Sequence, residues 1–381
     1  MKPTMAILGS TGSIGRQTFD VCRFLGIRVA ALTAHSSAEM LAAQAVECGA
    51  EYAAAYDAEA AARLKELLEG SGIEAGPPGD EGLILAACRE GVQRVMVAVS
   101  GSVGLAPTLA AIDAGKEIAL ANKETLVCGG SIVMRRVREK GTLLIPVDSE
   151  HSAIHECLYR RPGDMKKLIL TASGGPFRGW TRQQTASVTP EMAVRHPNWS
   201  MGAKISVDSA TMMNKGLELI EAMHLFSAPA EDIEIVIHPE SIVHSAVEFR
   251  DGSILAQLGP ADMRVPIQYA VTYPERCASQ AEPISLAAVG KLTFEAPDME
   301  NTPCLALAVS CAKRGGTAPA VMSAANEAAV AAFLRGQIGY NEIYDRVAAA
   351  VDGCGFTADP TLGELLAADE AGRRFVRERI D

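Results

Sequence analysis

The sequence contains no Cys-x-x-Cys pair, and its nine cysteines are odd in number and scattered from Cys22 to Cys354. That excludes a disulfide framework and a thiolate zinc site and leaves reduced core thiols. No uncharged apolar run approaches the ~20 residues a membrane helix needs, and no internal repeat is visible. Cations are in deficit: 35 Lys and Arg against 46 Asp and Glu give a net charge of −11, which opposes broad attraction to nucleic acid or anionic lipid. The partner implied is a small molecule. With 48% hydrophobic residues the 381-residue chain is an ordinary globular one, long enough for two or three domains at roughly 100–200 residues each. The first residues run straight into an apolar strand pattern, so the cytoplasm is the expected compartment.

Up to about residue 147, short β-rich runs (Met5 to Leu8, Ile27 to Leu32, Val95 to Val99, Leu143 to Val147) alternate with helical stretches such as Arg16 to Phe24. This rhythm predicts an α/β unit, a Rossmann-like doubly wound parallel sheet. The alanine-rich stretch Ala53 to Leu68 reads as a surface helix. After Val147 the rhythm changes. Strand runs at Lys167 to Thr171, Ile233 to Ile237, Ile242 to Phe249 and Ile254 to Leu258, the last two flanking the turn signal Arg250-Asp251-Gly252-Ser253, predict an α+β domain with an antiparallel or mixed sheet. From Pro303 the pattern is almost wholly helical and reads as a C-terminal helical bundle. The expected division is 1–147, 148–283, a connector at 284–297, and 298–381.

Gly9-Ser10-Thr11-Gly12-Ser13-Ile14-Gly15 follows a predicted strand and opens a predicted helix, where free backbone N–H groups and the helix N-terminus hold a pyrophosphate. A tight turn alone would use the same glycines. No acid follows the second strand, where a NAD-type site places one for the ribose hydroxyls; Thr33-Ala34-His35-Ser36-Ser37 stands there instead, and this favours NADP.

Asp148 and Glu150 end an apolar run. On a strand both would point to one side and offer hard oxygen ligands to Mg²⁺ or Mn²⁺; at a helix start they would cap and answer the dipole. Ser206 to Glu218 reads as a strand end, a capped helix start and a helix, with Asn214 and Glu218 four apart on one face beside Lys215. Such a cluster can bind phosphate and metal side by side, or be an exposed polar face. Ser173-Gly174-Gly175 is a strand running into a glycine turn, suited to an anion nest or to a plain turn. Arg195 to Gly202 packs His196 and Trp199 into a segment without apolar period, which reads as a lid or as a buried tryptophan anchor. His151 and His155 lack the H-E-x-x-H context of zinc, and His238 and His244 read as core or interface residues.

Together, Gly9 to Gly15, Ala121-Asn122-Lys123-Glu124, Pro146 to His151, Ser173 to Phe177, His196 to Gly202, Ser206 to Glu218, His238-Pro239-Glu240-Ser241 and Asn326-Glu327 make the chain similar, over nearly its whole length, to the 1-deoxy-D-xylulose 5-phosphate reductoisomerases. The resemblance implies an NADPH-dependent oxidoreductase and isomerase of the non-mevalonate isoprenoid pathway, a homodimer, rearranging the phosphorylated ketose and reducing the product to 2-C-methyl-D-erythritol 4-phosphate. It implies Asp148, Glu150 and Glu218 as ligands of Mg²⁺ or Mn²⁺, and Ser173, Ser209, Asn214 and Lys215 on the substrate phosphate. Lys123 and Ser149 would touch the substrate, with His196 and Trp199 on a flap over it. Thr11, Gly12, Ser13, Ile14, Asn122, Glu124, Met201 and Gly202 would meet the cofactor. One departure is visible: His35-Ser36-Ser37 replaces the basic motif common after the second strand, so the 2′-phosphate would rest on hydrogen bonds and His35. Two other readings remain at this point, a homoserine-type NAD(P)-dependent dehydrogenase, which needs no phosphate site, and a non-catalytic NADP(H)-sensing protein, which leaves the three carboxylates without a role.

Overall fold

The computed structural model describes residues 2–159, 162–196, 198–199 and 201–380. They form two compact units, Met1–Thr125 with Ile132–Ser152 and Asp262–Glu282, and Leu126–Ser131 with Ala153–Ala261 and Pro283–Asp381.

The first unit is built on a seven-stranded sheet of β1 (Met5–Leu8), β2 (Val29–Ala34), β3 (Tyr52–Ala55), β4 (Glu74–Ala75), β5 (Arg94–Val97), β6 (Glu117–Leu120) and β7 (Leu144–Pro146), in the order β4-β3-β2-β1-β5-β6-β7. Every pair is parallel. β1, β2, β3 and β5 are buried at every position, as a parallel sheet covered by helices requires. The order reverses direction at β1 and β5, so a crevice for ligand is expected outside their carboxyl ends. β3 corrects the sequence reading, in which Ala53 to Ala55 belonged to a helix. Alanine's helix preference is only tenths of a kcal/mol per residue, and pairing with β2 and β4 overrides it.

Asp262–Glu282 was expected in the middle domain but packs in the first unit. Its helix Arg264–Thr272 buries Ile267, Ala270 and Val271 in the sheet's core. Arg94, 3% exposed, donates to the carbonyls of Ala270 (2.8 Å), Val271 (2.7 Å) and Tyr273 (3.1 Å) and pairs with Glu117 (2.6 Å). A buried guanidinium is tolerated only when its donors are satisfied in this way.

The second unit holds a four-stranded sheet of β8 (Met165–Ala172), β9 (Ile233–Ile237), β10 (Val243–Phe249) and β11 (Ile254–Leu258), in the order β11-β10-β8-β9. β10 runs antiparallel to β8 and β11, and β8 runs parallel to β9, so the sheet is mixed. The four C-terminal helices, Pro303–Arg314, Ala318–Leu334, Tyr340–Gly353 and Leu362–Arg377, have no separate core: Val321, Met322, Phe333 and Tyr340 pack in one cluster with Leu168, Phe177, Leu217 and Ile220. The alanines of Ala318–Leu334 let neighbouring backbones approach closely. All nine cysteines are free, and burial pushes the Cys22 and Cys304 thiols up to about 12.

Candidate active site

In the first unit the implied residues sit where the parallel strands end. Gly9, at φ +84°, follows β1, and a Cβ there would lie 2.6 Å from Ala98 O beyond β5. A Cβ on Gly15 would lie 2.1 Å from Gly9 O. Both positions therefore exclude side chains, and Gly12 opens the helix Ser13–Leu25 with no side-chain cap. This is a bare helix N-terminus with room for a pyrophosphate, so the cradle fits a dinucleotide.

His35 follows β2 and stacks on Tyr56 with ring centroids 5.6 Å apart. Ser37 precedes the helix Ala38–Cys48 without using its side chain as a cap. The one acid in that helix's first turn, Glu39, is paired with Arg63 at 3.2 Å. Asn122 is 2% exposed and its amide donates to Val99 O (2.8 Å), Gly101 O (3.0 Å) and Glu124 (3.1 Å), while its oxygen caps Thr125 N–H (2.8 Å). Its side chain is committed to fixing the loop after β5. Lys123, after β6, forms an ion pair with Asp148, after the adjacent β7.

Asp148 is not on a strand. β7 stops at Pro146 and the helix Ser149–Cys157 begins one residue after Asp148. The alternating-strand geometry drawn for Asp148 and Glu150 is therefore corrected to a helix start: Asp148 Oδ1 accepts from the N–H groups of Glu150 (3.1 Å) and His151 (3.3 Å). The cause is the helix that starts at Ser149, whose orphan N–H donors Asp148 meets. Glu150 lies in the first turn, and the Ser149 hydroxyl donates to it at 2.5 Å.

In the second unit, Ser206 to Asp208 form no strand end. They belong to a helix, Ala203–Ala210, and Met212 at φ +61° turns the chain into the next, Met213–Phe226. A left-handed non-glycine residue stores strain, here immediately before the helix that carries Asn214, Lys215 and Glu218. That helix buries Lys215 and Glu218, 4% and 1% exposed, as an ion pair, so an exposed polar face is excluded. Asn214 donates to Glu218 Oε1 at 2.5 Å, and its own Oδ1 is buried with no hydrogen-bond partner among the described residues. An orphaned acceptor beside a buried carboxylate is what a hard cation or a hydroxyl-bearing ligand would satisfy.

The turn after β8 brings Ser173 and His196 together at 3.0 Å. His196 Nδ1 accepts from the N–H groups of Asn198 (3.2 Å) and Trp199 (3.0 Å), so the ring proton is on Nε2 and points at Ser173 Oγ. Gly175 N–H also donates to that oxygen, at 3.2 Å. With both lone pairs occupied, the Ser173 hydroxyl proton is left to donate outward, as an anion requires. Burial lowers the His196 pKa and keeps the ring neutral. Gly175, at φ +68°, lies against Ser209: a Cβ would come within 2.7 Å of Ser209 O.

Trp199 is half-buried with its ring 5.9 Å from that of His244. His244, read as a core or interface residue, is buried as that reading expects, and its ring also faces Trp199, which a lone histidine on a strand does not signal. Met201 and Gly202 lead into the helix Ala203–Ala210. Pro197 and Ser200 lie outside the described residues.

Three family models match, described as 1-deoxy-D-xylulose 5-phosphate reductoisomerase (residues 5–130), its C-terminal domain (144–226), and DXP reductoisomerase C-terminal domain (258–375). The chain belongs to the 1-deoxy-D-xylulose 5-phosphate reductoisomerase family. Reductoisomerases of Symbiobacterium thermophilum and Heliobacterium modesticaldum are each 51% identical to it, over 100% and 99% of this chain and 99% and 97% of theirs. The solved reductoisomerase of Zymomonas mobilis, in complex with NADPH, superposes with a TM-score of 0.92 at 46% identity and full coverage of both chains. Another reductoisomerase, in complex with NADPH, fosmidomycin and magnesium, gives 0.94 at 42% identity over 99% of this chain and 98% of that one. Among the described residues, no helix is long and apolar enough to cross a membrane.

Proposed function

We propose that the chain converts 1-deoxy-D-xylulose 5-phosphate to 2-C-methyl-D-erythritol 4-phosphate, with NADPH and Mg²⁺ or Mn²⁺, in non-mevalonate isoprenoid synthesis. The observation that carries this reading is the full-length likeness to reductoisomerases, with the glycine cradle and the buried Asn214, Lys215 and Glu218 cluster in the matching stretches. When bound, the nucleotide supplies a hydride and the cation supplies Lewis-acid charge for the substrate's oxygens.

The residues have distinct tasks. Asp148, Glu150 and Glu218 are the oxygen donors for the cation, a hard set suited to Mg²⁺ or Mn²⁺. Ser173 donates its hydroxyl proton to the phosphate, joined by Ser209, Asn214 and Lys215, and this handle positions the reacting carbons. Lys123 and Ser149 touch the substrate, and His196 and Trp199 cover it and exclude water. Thr11 to Ile14, Asn122, Glu124, Met201 and Gly202 meet the nucleotide, with His35, Ser36 and Ser37 at its 2′-phosphate. No Lys or Arg stands between Arg28 and Arg63, so the preference for NADPH over NADH is modest. Nucleotide binding is assigned to the first unit, which includes Asp262–Glu282, and phosphate binding and dimerisation to the second, whose core takes in the C-terminal helices. The edge strand β11 leaves Ile254, Leu255 and Leu258 exposed at 56%, 48% and 37%, which supports a homodimer paired along that edge; light scattering at twice the chain mass would bear this out.

The deciding experiment follows NADPH absorbance with 1-deoxy-D-xylulose 5-phosphate and Mg²⁺ or Mn²⁺, then with the metal chelated. Oxidation that stops on chelation is the expected result. Folded protein that oxidises no NADPH would defeat the reading.

A further inference from the structure

Bonds that a substrate-covering strap makes away from the substrate bias it toward closure before binding. The described residues of this strap make three attachments. His196 reaches Ser173, Trp199 lies against His244, and Asn198 reaches neither. The exposed Asn198 amide donates to Pro239 O at 2.6 Å and to Ser241 Oγ at 2.9 Å. The amide's orientation is forced, because flipping it would set its oxygen against the Pro239 carbonyl at the same short distance.

The seat that receives it is rigid. His238 is fully buried, and its Nε2 accepts from the N–H groups of Ile242 and Val243, both at 3.1 Å. Nδ1 therefore carries the proton and donates it to Thr293 O at 2.8 Å, while Phe294 stacks on the ring at 4.7 Å. Glu240 accepts from Thr293 N–H (3.2 Å) and from its hydroxyl (2.5 Å). Ser241 sits at φ +51°, a left-handed conformation that serine holds only when its surroundings impose it. The imposed turn presents a carbonyl and a hydroxyl to one amide.

We infer that Asn198 is a positioning residue: its bonds to the His238 to Ser241 turn hold its chain neighbours His196 and Trp199 near that turn, and so set how often the two stand in place for the reaction. It touches no reacting atom. Its catalytic consequence rests on the reductoisomerase reading, whereas the latch itself does not.

The test uses the full-length protein in a Trp180→Phe background, which leaves Trp199 as the single tryptophan. Asn198→Ala removes both donors, Asn198→Asp removes them at constant size and faces the Pro239 carbonyl with an oxygen, and Ser241→Ala removes one acceptor. Two ordinary hydrogen bonds shift a closing equilibrium about tenfold. Both Asn198 variants should therefore make Trp199 severalfold more quenchable by acrylamide. They should also lower kcat/KM about tenfold, mainly through KM, with the NADPH Kd and Tm of the parent; Ser241→Ala should fall between. Unchanged Trp199 quenching in both Asn198 variants overturns the latch, and so does lost activity without a quenching change, which would place Asn198 on the substrate. Quenching that rises as stated in a parent that turns over no substrate supports the latch and sinks the functional reading instead.

Discussion

Glu218 is a carboxylate almost without solvent, tolerable because Lys215 pairs with it and Asn214 donates to it. The i, i+4 spacing of Asn214 and Glu218 was readable in the sequence, since helix geometry alone puts them on one face. Their burial was not, because it depends on what packs over that face. Glu218→Gln keeps the size and removes the charge. Turnover should fall about 10³-fold or more, since the Lewis-acid contribution it anchors is several kcal/mol, while NADPH affinity stays within about twofold, as read by fluorescence titration. A parallel thermal melt is needed because Lys215 loses its buried partner. Equal loss of turnover and nucleotide binding would contradict the assignment. Asp148 teaches the opposite lesson: strand pair and helix cap were both open from the sequence, the structure bears out the cap, and no local pattern decides where β7 stops.

At the scale of elements, two glycines carry geometry that a side chain would destroy. Gly15→Ala would drive a Cβ to 2.1 Å from Gly9 O, moving the start of the helix Ser13–Leu25 off the cradle. NADPH Kd should rise about 100-fold, the order of two lost charge-assisted hydrogen bonds, and the backbone clash should cost about 1–3 kcal/mol in the melt as well; normal affinity in the folded variant would show that the cradle is not the site. Gly130→Ala would place a Cβ 2.2 Å from His224 Cδ2, beside the break in the helix Lys123–Lys140 at Gly129 (φ −120°, ψ 16°). Overpacking of this kind costs about 1–3 kcal/mol, so Tm should drop by roughly 3–10 °C, and an unchanged melt would mean the helix slides freely. The strands of β1, β9 and β11 and the hairpin turn were legible because period and turn residues agree. β3 was not, because an alanine run is held extended only by its neighbours.

For the whole molecule, acid is the informative stress. Burial lowers the pKa of His155 and of His224 from 6.5 to about 4. Between those values the unfolded chain binds protons that the folded one refuses. Stability from these groups is thus fully present above pH 6.5 and declines as pH falls toward 4. Allowing for partial exposure, each contributes roughly 1–2 kcal/mol. Thermal melts at pH 7.5 and pH 5 should differ clearly in the wild type and by less in His224→Gln; equal pH dependence in both would remove His224 from the account.

The sequence by itself determined the architecture of the parallel sheet, the glycine cradle, the helical C-terminus and the family, because each is written in local period, turn chemistry or an unbroken motif. Tertiary structure alone decided that Asp262–Glu282 packs on the first sheet, that the C-terminal helices share a core with β8 and the helix Met213–Phe226, that His244 lies against Trp199, and that Asn198 reaches the Pro239 and Ser241 turn. These depend on contacts between residues far apart in the chain. Arg94 finds its carbonyl acceptors 176 and more residues away, and burial, which sets the Lys215 and Glu218 pair apart from an exposed one, is a property of the packed chain that no local pattern contains.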